Sequence, residues 1–157
     1  MGNITFIFSN YYIDVAFLAW LIAQVLKTLL AFFLTKEIVW ERMVGAGGMP
    51  SSHSAVTCSV LLTSYLIYGF SSPIFAMAFV LALIVMYDAT GVRWAAGLHA
   101  KAINYIVEYL GDENTKDKDQ LKEMIPKLNE SLGHRMIEVV CGALLGFVIS
   151  LIGYFCF

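Results

Sequence analysis

Side chains that could do chemistry are concentrated in three short segments of this chain, residues 45–54, 88–93 and 134–138. Two of these segments contain a histidine, the residue whose protonation changes most readily near neutral pH. The remaining segment joins an aspartate to an arginine, and arginine can bind phosphate oxygens through two parallel hydrogen bonds. The residue types therefore indicate catalysis on an anion such as phosphate, or binding of one.

The first segment reads GAGGMPSSHS and combines glycines, a proline, two adjacent serines and a histidine. Glycines allow close backbone approach, proline suits a first helical turn, and the unpaired amides of a helix start bind anions. With the hydroxyls of Ser51 and Ser52, this helix start is a candidate phosphate site, and His53 adds a titratable group. The same pattern is also typical of a capped helix start that carries a structural histidine.

The other two segments each pair groups of complementary chemistry. His134 and Glu138 are four residues apart and share a helix face, so the carboxylate can hold one ring nitrogen and leave the other as a neutral nucleophile or base. Asp88 lies five residues before Arg93 and can hold the guanidinium in place for a phosphate. A surface i,i+4 pair and a helix-end salt bridge are the alternative interpretations.

The composition is that of a membrane protein. Hydrophobic residues make up 59% of the 157 residues and charged residues only 14%, against roughly 45–50% and about 25% in a soluble domain. The formal net charge of -2 leaves no basic excess for nucleic-acid binding. No His-x-x-x-His or Cys-x-x-Cys spacing occurs, and we expect neither a metal nor another cofactor.

Four apolar segments are long enough to cross a bilayer, which takes roughly 20 helical residues. The predicted crossings are residues 11–34, 51–69, 72–90 and 134–157. Residues 51–87 contain no Asp, Glu, Lys or Arg, and one helix of that length would overshoot a hydrocarbon core of roughly 30 Å. We therefore expect a break at residues 69–73 (GFSSP), and an all-α polytopic bundle with residues 1–157 as a single membrane domain.

Charge places the candidate site at one membrane face. Residues 111–120 form the predicted polar loop, and the amphipathic stretches 98–110 and 121–132 beside it are expected to form interfacial helices. Lysine and arginine occur only in or near this side, which the positive-inside rule makes cytoplasmic. Lys27, on the first crossing, is at the same end, where its stem could also snorkel to the interface. We expect an integral protein of a bacterial inner membrane with its site facing the cytoplasm.

Together the three segments resemble a known family, the divergent branch of the type-2 phosphatidic acid phosphatase and vanadium haloperoxidase superfamily. The resemblance covers most of the chain. It rests on residues 47–55 (GGMPSSHSA), residues 87–93 (YDATGVR) with Ala96-Gly97, and Leu132-Gly133-His134 followed by Glu138-Val139 and Gly142.

The resemblance implies a role for each residue that matches the superfamily's motifs. His134 would be the nucleophile that forms a phosphohistidine, with Glu138 in place of the usual aspartate orienting it. His53 would be the general acid. Ser51 matches the serine that contacts phosphate, and Ser52 stands where glycine is usual.

Cations are needed to stabilise charge on the transferring phosphoryl group. The resemblance suggests Arg42 and Arg93, with Lys27 or Lys36 as a third. The superfamily's first motif has a lysine seven residues before an Arg-Pro pair, whereas here Lys36 precedes Arg42 by six and methionine follows the arginine. The Ser-Arg usual before the nucleophilic histidine is also missing, and Arg93 would supply its charge.

The sequence thus predicts a metal-independent membrane phosphatase that cleaves a phosphomonoester or diphosphate from a lipid phosphate. A cytoplasmic site favours phosphatidylglycerol phosphate or phosphatidic acid over an isoprenoid diphosphate recycled on the outer face. One alternative is a non-catalytic membrane protein that binds or transports an anion or a lipid head group. A third interpretation is vanadate-dependent halide oxidation in the same pocket.

Overall fold

The structure is a computed structural model that describes residues 10–36, 47–110, 125–130 and 132–156. Within these ranges the chain forms five α-helices and no strand. The helices are α1 (Tyr11–Thr35), α2 (Ser52–Tyr68), α3 (Pro73–Thr90), α4 (Val92–Leu110) and α5 (Met136–Cys156). The all-α class is confirmed, while Arg42 and the predicted loop at residues 111–120 lie outside the described residues.

The predicted break between the second and third apolar segments is confirmed. Helix α2 ends at Tyr68, and Gly69 follows with φ 77°, a backbone conformation that residues with a side chain rarely adopt. Ser72 caps α3, because its hydroxyl accepts a hydrogen bond from the Ile74 amide at 3.1 Å. Pro73 occupies the first turn, where its missing N–H costs nothing. The local chemistry of five residues therefore makes the helical hairpin.

Three helical stretches of the described chain are long and apolar enough to cross a membrane: Tyr11–Leu34, Pro73–Glu108 and Met136–Cys156. The second stretch contains α3, the break at Gly91 and most of α4. Helix α2 has 17 residues, about 25 Å at 1.5 Å per residue, the short end of the range for a spanning helix. The protein is a helical membrane bundle, and the count of four crossings stays a prediction.

Helix α2 is the centre of the bundle and packs against α1, α3 and α5. Its contact with α5 is a backbone contact: a Cβ added at Gly142 would overlap the Ser51 carbonyl oxygen, and one added at Gly146 would overlap that of Ala55. The close helix contact expected from the four-residue spacing of these glycines is confirmed. On α1, Ala19 and Ala23 are fully buried, so small residues bring this helix close as well.

Buried hydroxyl groups on α2 find partners inside the bundle. Thr63 and Ser150 are hydrogen-bonded through their hydroxyl oxygens at 2.8 Å, which joins α2 to α5. Ser59 and Ser64 donate to carbonyl oxygens of the preceding turn, at 2.8 and 2.7 Å. Because a bilayer offers no water to such groups, these bonds are what permits a helix this rich in serine at the centre.

The second predicted interfacial helix, residues 121–132, is wrong in the part that the structure describes. Residues 125–130 are not helical. Pro126 disfavours a helix there, and the Asn104 side chain supplies other partners: its amide donates to the Leu128 carbonyl at 2.9 Å and accepts from the Leu128 amide at 2.9 Å. It also donates to the Glu130 carboxylate at 2.8 Å. The segment therefore runs beside α4 as an irregular strap, defined here as residues 125–130 and 132–134.

The first predicted interfacial helix does form, although α4 begins at Val92 rather than near residue 98. Leu98 and Ile106 are about half exposed in the chain alone. Such an exposed apolar face suits the membrane surface, and the location of α4 there stays a prediction.

We predict that Gly146→Ala destabilises the protein far more than Gly153→Ala on the same helix. The new Cβ at residue 146 meets α2 backbone, whereas at residue 153 it meets the Tyr11 hydroxyl, 2.9 Å away at the end of a side chain that can rotate. Overpacking of a rigid contact costs about 1–3 kcal/mol or more. The apparent melting temperature in detergent should fall by several degrees more for Gly146→Ala, and equal losses would contradict the close backbone contact.

Candidate active site

The three chemical segments meet around one small cavity of about 90 Å³. The start of α2, the α3–α4 junction and the end of the strap each contribute to its wall. The lining residues are His53, Val85, Asp88, Ala89, Arg93, Leu132, Gly133 and His134. Four of the predicted site residues, two histidines and the Asp–Arg pair, therefore share one cavity although 81 positions separate the first from the last.

His134 is fixed by its backbone to the α3–α4 junction. Its amide donates to the Ala89 carbonyl oxygen at 2.9 Å. The preceding Gly133 has φ 79°, and a Cβ there would overlap the backbone nitrogen of Trp94. Only glycine allows this approach. The strap thus places His134 in contact with the end of α3.

The side chain of His134 is buried, with 3% of the residue exposed. Its Nε2 atom has no hydrogen-bond partner within the described part of the chain. A buried ring nitrogen without a partner is costly unless a ligand or water pairs with it. Because His134 also lines the cavity, this atom is a candidate to pair with a bound ligand.

His53 lies across the cavity from His134. The two ring centroids are 6.4 Å apart, and the ring planes are inclined at 78°. Rings at this separation do not hydrogen-bond to each other, so neither histidine is the partner of the other. His53 belongs to the first turn of α2 and is the more exposed of the two, which lets it exchange protons with solvent.

Asp88 and Arg93 form an ion pair at the cavity rim, in which Arg93 Nε donates to Asp88 Oδ2. The side chains are 39% and 54% exposed, so the pair adds little to stability. Its effect is to orient the guanidinium, whose terminal N–H groups remain able to bind a second anion. The helix-end salt bridge that the sequence left as an alternative is thus formed, and it lines the same cavity.

Glu138 lies behind His134 and is 7% exposed. Its Oε2 accepts from the Arg135 amide at 3.2 Å, and its Oε1 accepts from Arg135 Nε at 3.4 Å. Its negative charge acts on His134. The structure therefore gives Glu138 an electrostatic effect on the ring, and its predicted role as the group that orients the histidine stays a prediction.

The remaining sequence candidates among the described residues do not line the cavity. Ser51 is fully buried as the cap of α2, where its hydroxyl accepts from the amide and the hydroxyl of Ser54 at 3.3 and 3.0 Å. Ser52 is 4% exposed beside it, and Lys27 is 2% exposed on α1. Lys36 ends α1 at the exposed surface. Phosphate contact by these residues stays a prediction.

Comparison with known proteins identifies the family of this chain. Residues 8–149 match the family described as the divergent PAP2 family, PAP2 being type-2 phosphatidic acid phosphatase. The chain belongs to the divergent PAP2 family. It is 36% identical over 148 residues to YuiD of Bacillus subtilis, described as an uncharacterized membrane protein, and the match covers 92% of this chain and 94% of YuiD. No solved structure matches the chain significantly.

Two features of this divergent PAP2 site were not predicted from the sequence. One is the Ala89 carbonyl, which accepts a hydrogen bond from the His134 amide. A backbone group of this kind cannot be recognised from residue types. The other is Gly133, for which a glycine directly before a candidate histidine was the available signal. Among the described residues, no group of three His, Cys, Asp or Glu side chains could hold a metal ion.

Burial lowers the pKa of His134 below the ordinary histidine value. The positive charges of Lys27 and Arg93, together with His53, lower this pKa further, whereas Glu138 raises it. Since an unperturbed histidine has a pKa of about 6.5, the ring is neutral at pH 7. A neutral imidazole with an unpaired nitrogen is the nucleophilic form.

We predict that His134 titrates below about pH 6.5, the unperturbed value. Glu138→Gln should lower the midpoint further, because it removes the negative charge that favours the protonated ring. The measurement is an NMR titration of histidine-labelled protein in detergent, with the His134 signal assigned by its loss in His134→Ala. A midpoint at or above the unperturbed value, or a rise in Glu138→Gln, would contradict the electrostatics of this site.

Proposed function

We propose that this divergent PAP2 protein is a membrane lipid phosphatase that works through a phosphohistidine on His134. The observation that carries the proposal is the buried, unpartnered Nε2 of His134 on a cavity shared with His53 and Arg93. A nucleophile, an acid–base group and a cation around one small space are the components that phosphoryl transfer needs.

In the first step, the lone pair of His134 Nε2 attacks phosphorus and the bond from phosphorus to the leaving oxygen breaks. Protonated His53 gives its proton to that oxygen, so the lipid product leaves as a neutral alcohol from a monoester. The phosphoryl group is then held on His134. The two rings, whose centroids are 6.4 Å apart, both line the cavity of about 90 Å³ that the phosphoryl group would enter.

In the second step, neutral His53 accepts a proton from water as the water oxygen attacks the phosphorus. The phosphorus–nitrogen bond breaks, inorganic phosphate leaves, and both histidines return to their starting forms. The same residue thus acts first as acid and then as base, which suits its partial exposure to solvent.

Stabilisation of the phosphoryl oxygens is assigned to Arg93, with the amides at the start of α2 as further donors. The ion pair with Asp88 holds the guanidinium at the cavity rim. Arg42, Ser51 and Ser52 are the other proposed contacts, on the strength of the family resemblance.

The lipid nature of the substrate is supported by the setting of the site. Part of its wall belongs to Pro73–Glu108, a stretch long and apolar enough to cross a membrane, and about 90 Å³ suits a phosphoryl group rather than a whole head group. Phosphatidylglycerol phosphate and phosphatidic acid are the favoured substrates, on the cytoplasmic leaflet of a bacterial inner membrane. Neither proposed step uses a metal or cofactor.

One observation favours the second candidate, a non-catalytic protein that binds or transports an anion or head group. Groups expected to serve catalysis already have protein partners: Arg93 pairs with Asp88, and Glu138 with Arg135. This candidate predicts phosphate-dependent binding without turnover and without a covalent adduct.

We expect purified protein in detergent to release phosphate from one member of a panel of lipid phosphates without added divalent metal. His134→Ala should reduce release to background, and His53→Ala should reduce it by about 10²–10⁴-fold, the usual contribution of general acid–base catalysis. His99→Ala is the matched control, because His99 lies on α4 outside the cavity lining and should keep wild-type activity.

Trapping separates the two candidates. With a lipid carrying a radiolabelled phosphate, rapid quenching should give labelled protein that His134→Ala fails to form. Folded protein that binds phosphate but neither turns over nor becomes labelled would favour the binding or transport function.

The orientation gives a separate prediction. A reporter active only outside the cytoplasm should be active when fused after the C-terminus, and inactive when inserted within residues 111–120. A reporter that fluoresces only in the cytoplasm should show the reverse pattern. Activity of the external reporter in the loop would move the site to the outer face and favour an isoprenoid diphosphate as substrate.

A further inference from the structure

Lys27 is a buried cation that the proposed reaction does not place at the phosphate. It lies on α1 inside the stretch Tyr11–Leu34 and is 2% exposed. A charge at such a place is costly unless an opposite charge compensates it. The cavity between the two histidines is lined by α2, α3, the α3–α4 junction and the strap, and not by Lys27.

The position of the Lys27 side chain is set by Gly48, which has φ 96°. A Cβ added at Gly48 would lie 3.3 Å from Lys27 Cγ and 3.5 Å from Lys27 Cδ. The aliphatic stem therefore passes directly against the glycine segment that leads into α2. Burial and this contact hold the side chain in one direction.

The same segment is tied to Glu138. Three residues after Gly48, the Ser51 amide donates to the Glu138 carbonyl oxygen at 2.9 Å. Residues 48–51 thus contact Lys27 on one side and the first turn of α5 on the other. Glu138 is 7% exposed, and its negative charge acts on Lys27.

We propose that Lys27 is a positioning residue: its ammonium is the counter-charge of Glu138, and the pair joins α1 to α5 behind His134. The catalytic consequence rests on the proposed function, whereas the pair itself does not. This assignment differs from phosphate binding by Lys27, which the sequence suggested.

The pair would control the charge around the nucleophile. Glu138 favours a protonated His134 ring and Lys27 disfavours it, so the two effects oppose each other while both charges are present. Without Lys27, the carboxylate would act on the ring with less opposition and the neutral, nucleophilic fraction would fall. Among the described residues, the other charged groups that act on the ring are His53 and Arg93, and Arg135 is bonded to the carboxylate.

The first test is a double-mutant cycle on the apparent melting temperature in detergent. Lys27→Met and Glu138→Gln should each lower it by several degrees, because each removes one charge of the proposed buried pair. The double variant should lose clearly less than the sum of the single losses. A matched cycle of Lys27→Met with Asp88→Asn should be additive, since Asp88 pairs with Arg93.

The second test measures the titration midpoint of His134. If Lys27 and Glu138 had only structural roles, their substitutions would not shift this midpoint in opposite directions. Lys27→Met should raise the midpoint, Glu138→Gln should lower it, and the double variant should lie between them. Lys27→Arg should restore the wild-type midpoint. Neither test uses phosphatase activity, so failure of the proposed function and failure of this pair are separate outcomes.

Kinetics then separate a counter-charge from a phosphate ligand. On the substrate identified, Lys27→Met should lower kcat more than it raises KM. Additive melting losses with Glu138→Gln, together with a KM raised at unchanged kcat, would overturn the proposal. If Lys27→Met alone does not fold, folding of the double variant supports the pair, and failure of the double variant while Glu138→Gln folds overturns it.

Discussion

The close contact between α2 and α5 is the constraint on which the rest of the structure depends. The carbonyl oxygens of Ser51 and Ala55 lie where side chains at Gly142 and Gly146 would otherwise be. Because the contact begins in the first turn of each helix, it brings the start of α2 beside the start of α5. His53 and His134 then face each other across one cavity, so packing in the membrane interior determines the geometry of the site at its edge.

The α3–α4 junction supplies what the two central helices lack. It contributes the Asp88–Arg93 pair and a carbonyl, that of Ala89, which fixes His134. The strap reaches this junction because Asn104 binds it near its start and Gly133 allows backbone contact near its end. The Asn104 side chain bonds two backbone groups and one carboxylate of the strap. Such bonds can hold a segment that contains the proposed nucleophile in place without a helix or a strand.

The features predictable from sequence are those with local or periodic causes. Residues 69–73 break the helix through glycine and proline, and the spacing of Gly142 and Gly146 indicates a close contact without naming the partner. The strap was predicted as a helix because its leucines recur at helical spacing. Its actual form depends on hydrogen bonds to Asn104, more than 20 residues earlier. The periodicity of apolar residues does not reveal a hydrogen-bond partner so far away in the sequence. The burial of Lys27 away from the cavity depends likewise on tertiary packing.

Charge balance links the packing to the chemistry. Burial alone favours a neutral His134, but it also makes every nearby charge act more strongly, because little water screens it. An unbalanced Glu138 would then favour the protonated ring, and unbalanced cations would strengthen phosphate binding while making product release slower. Among the described residues, the positive charges of Lys27 and Arg93 act on both histidines, opposed by Asp88 at His53 and by Glu138 at His134. A phosphate that enters adds negative charge to this balance, and the cations can respond to it in the transition state.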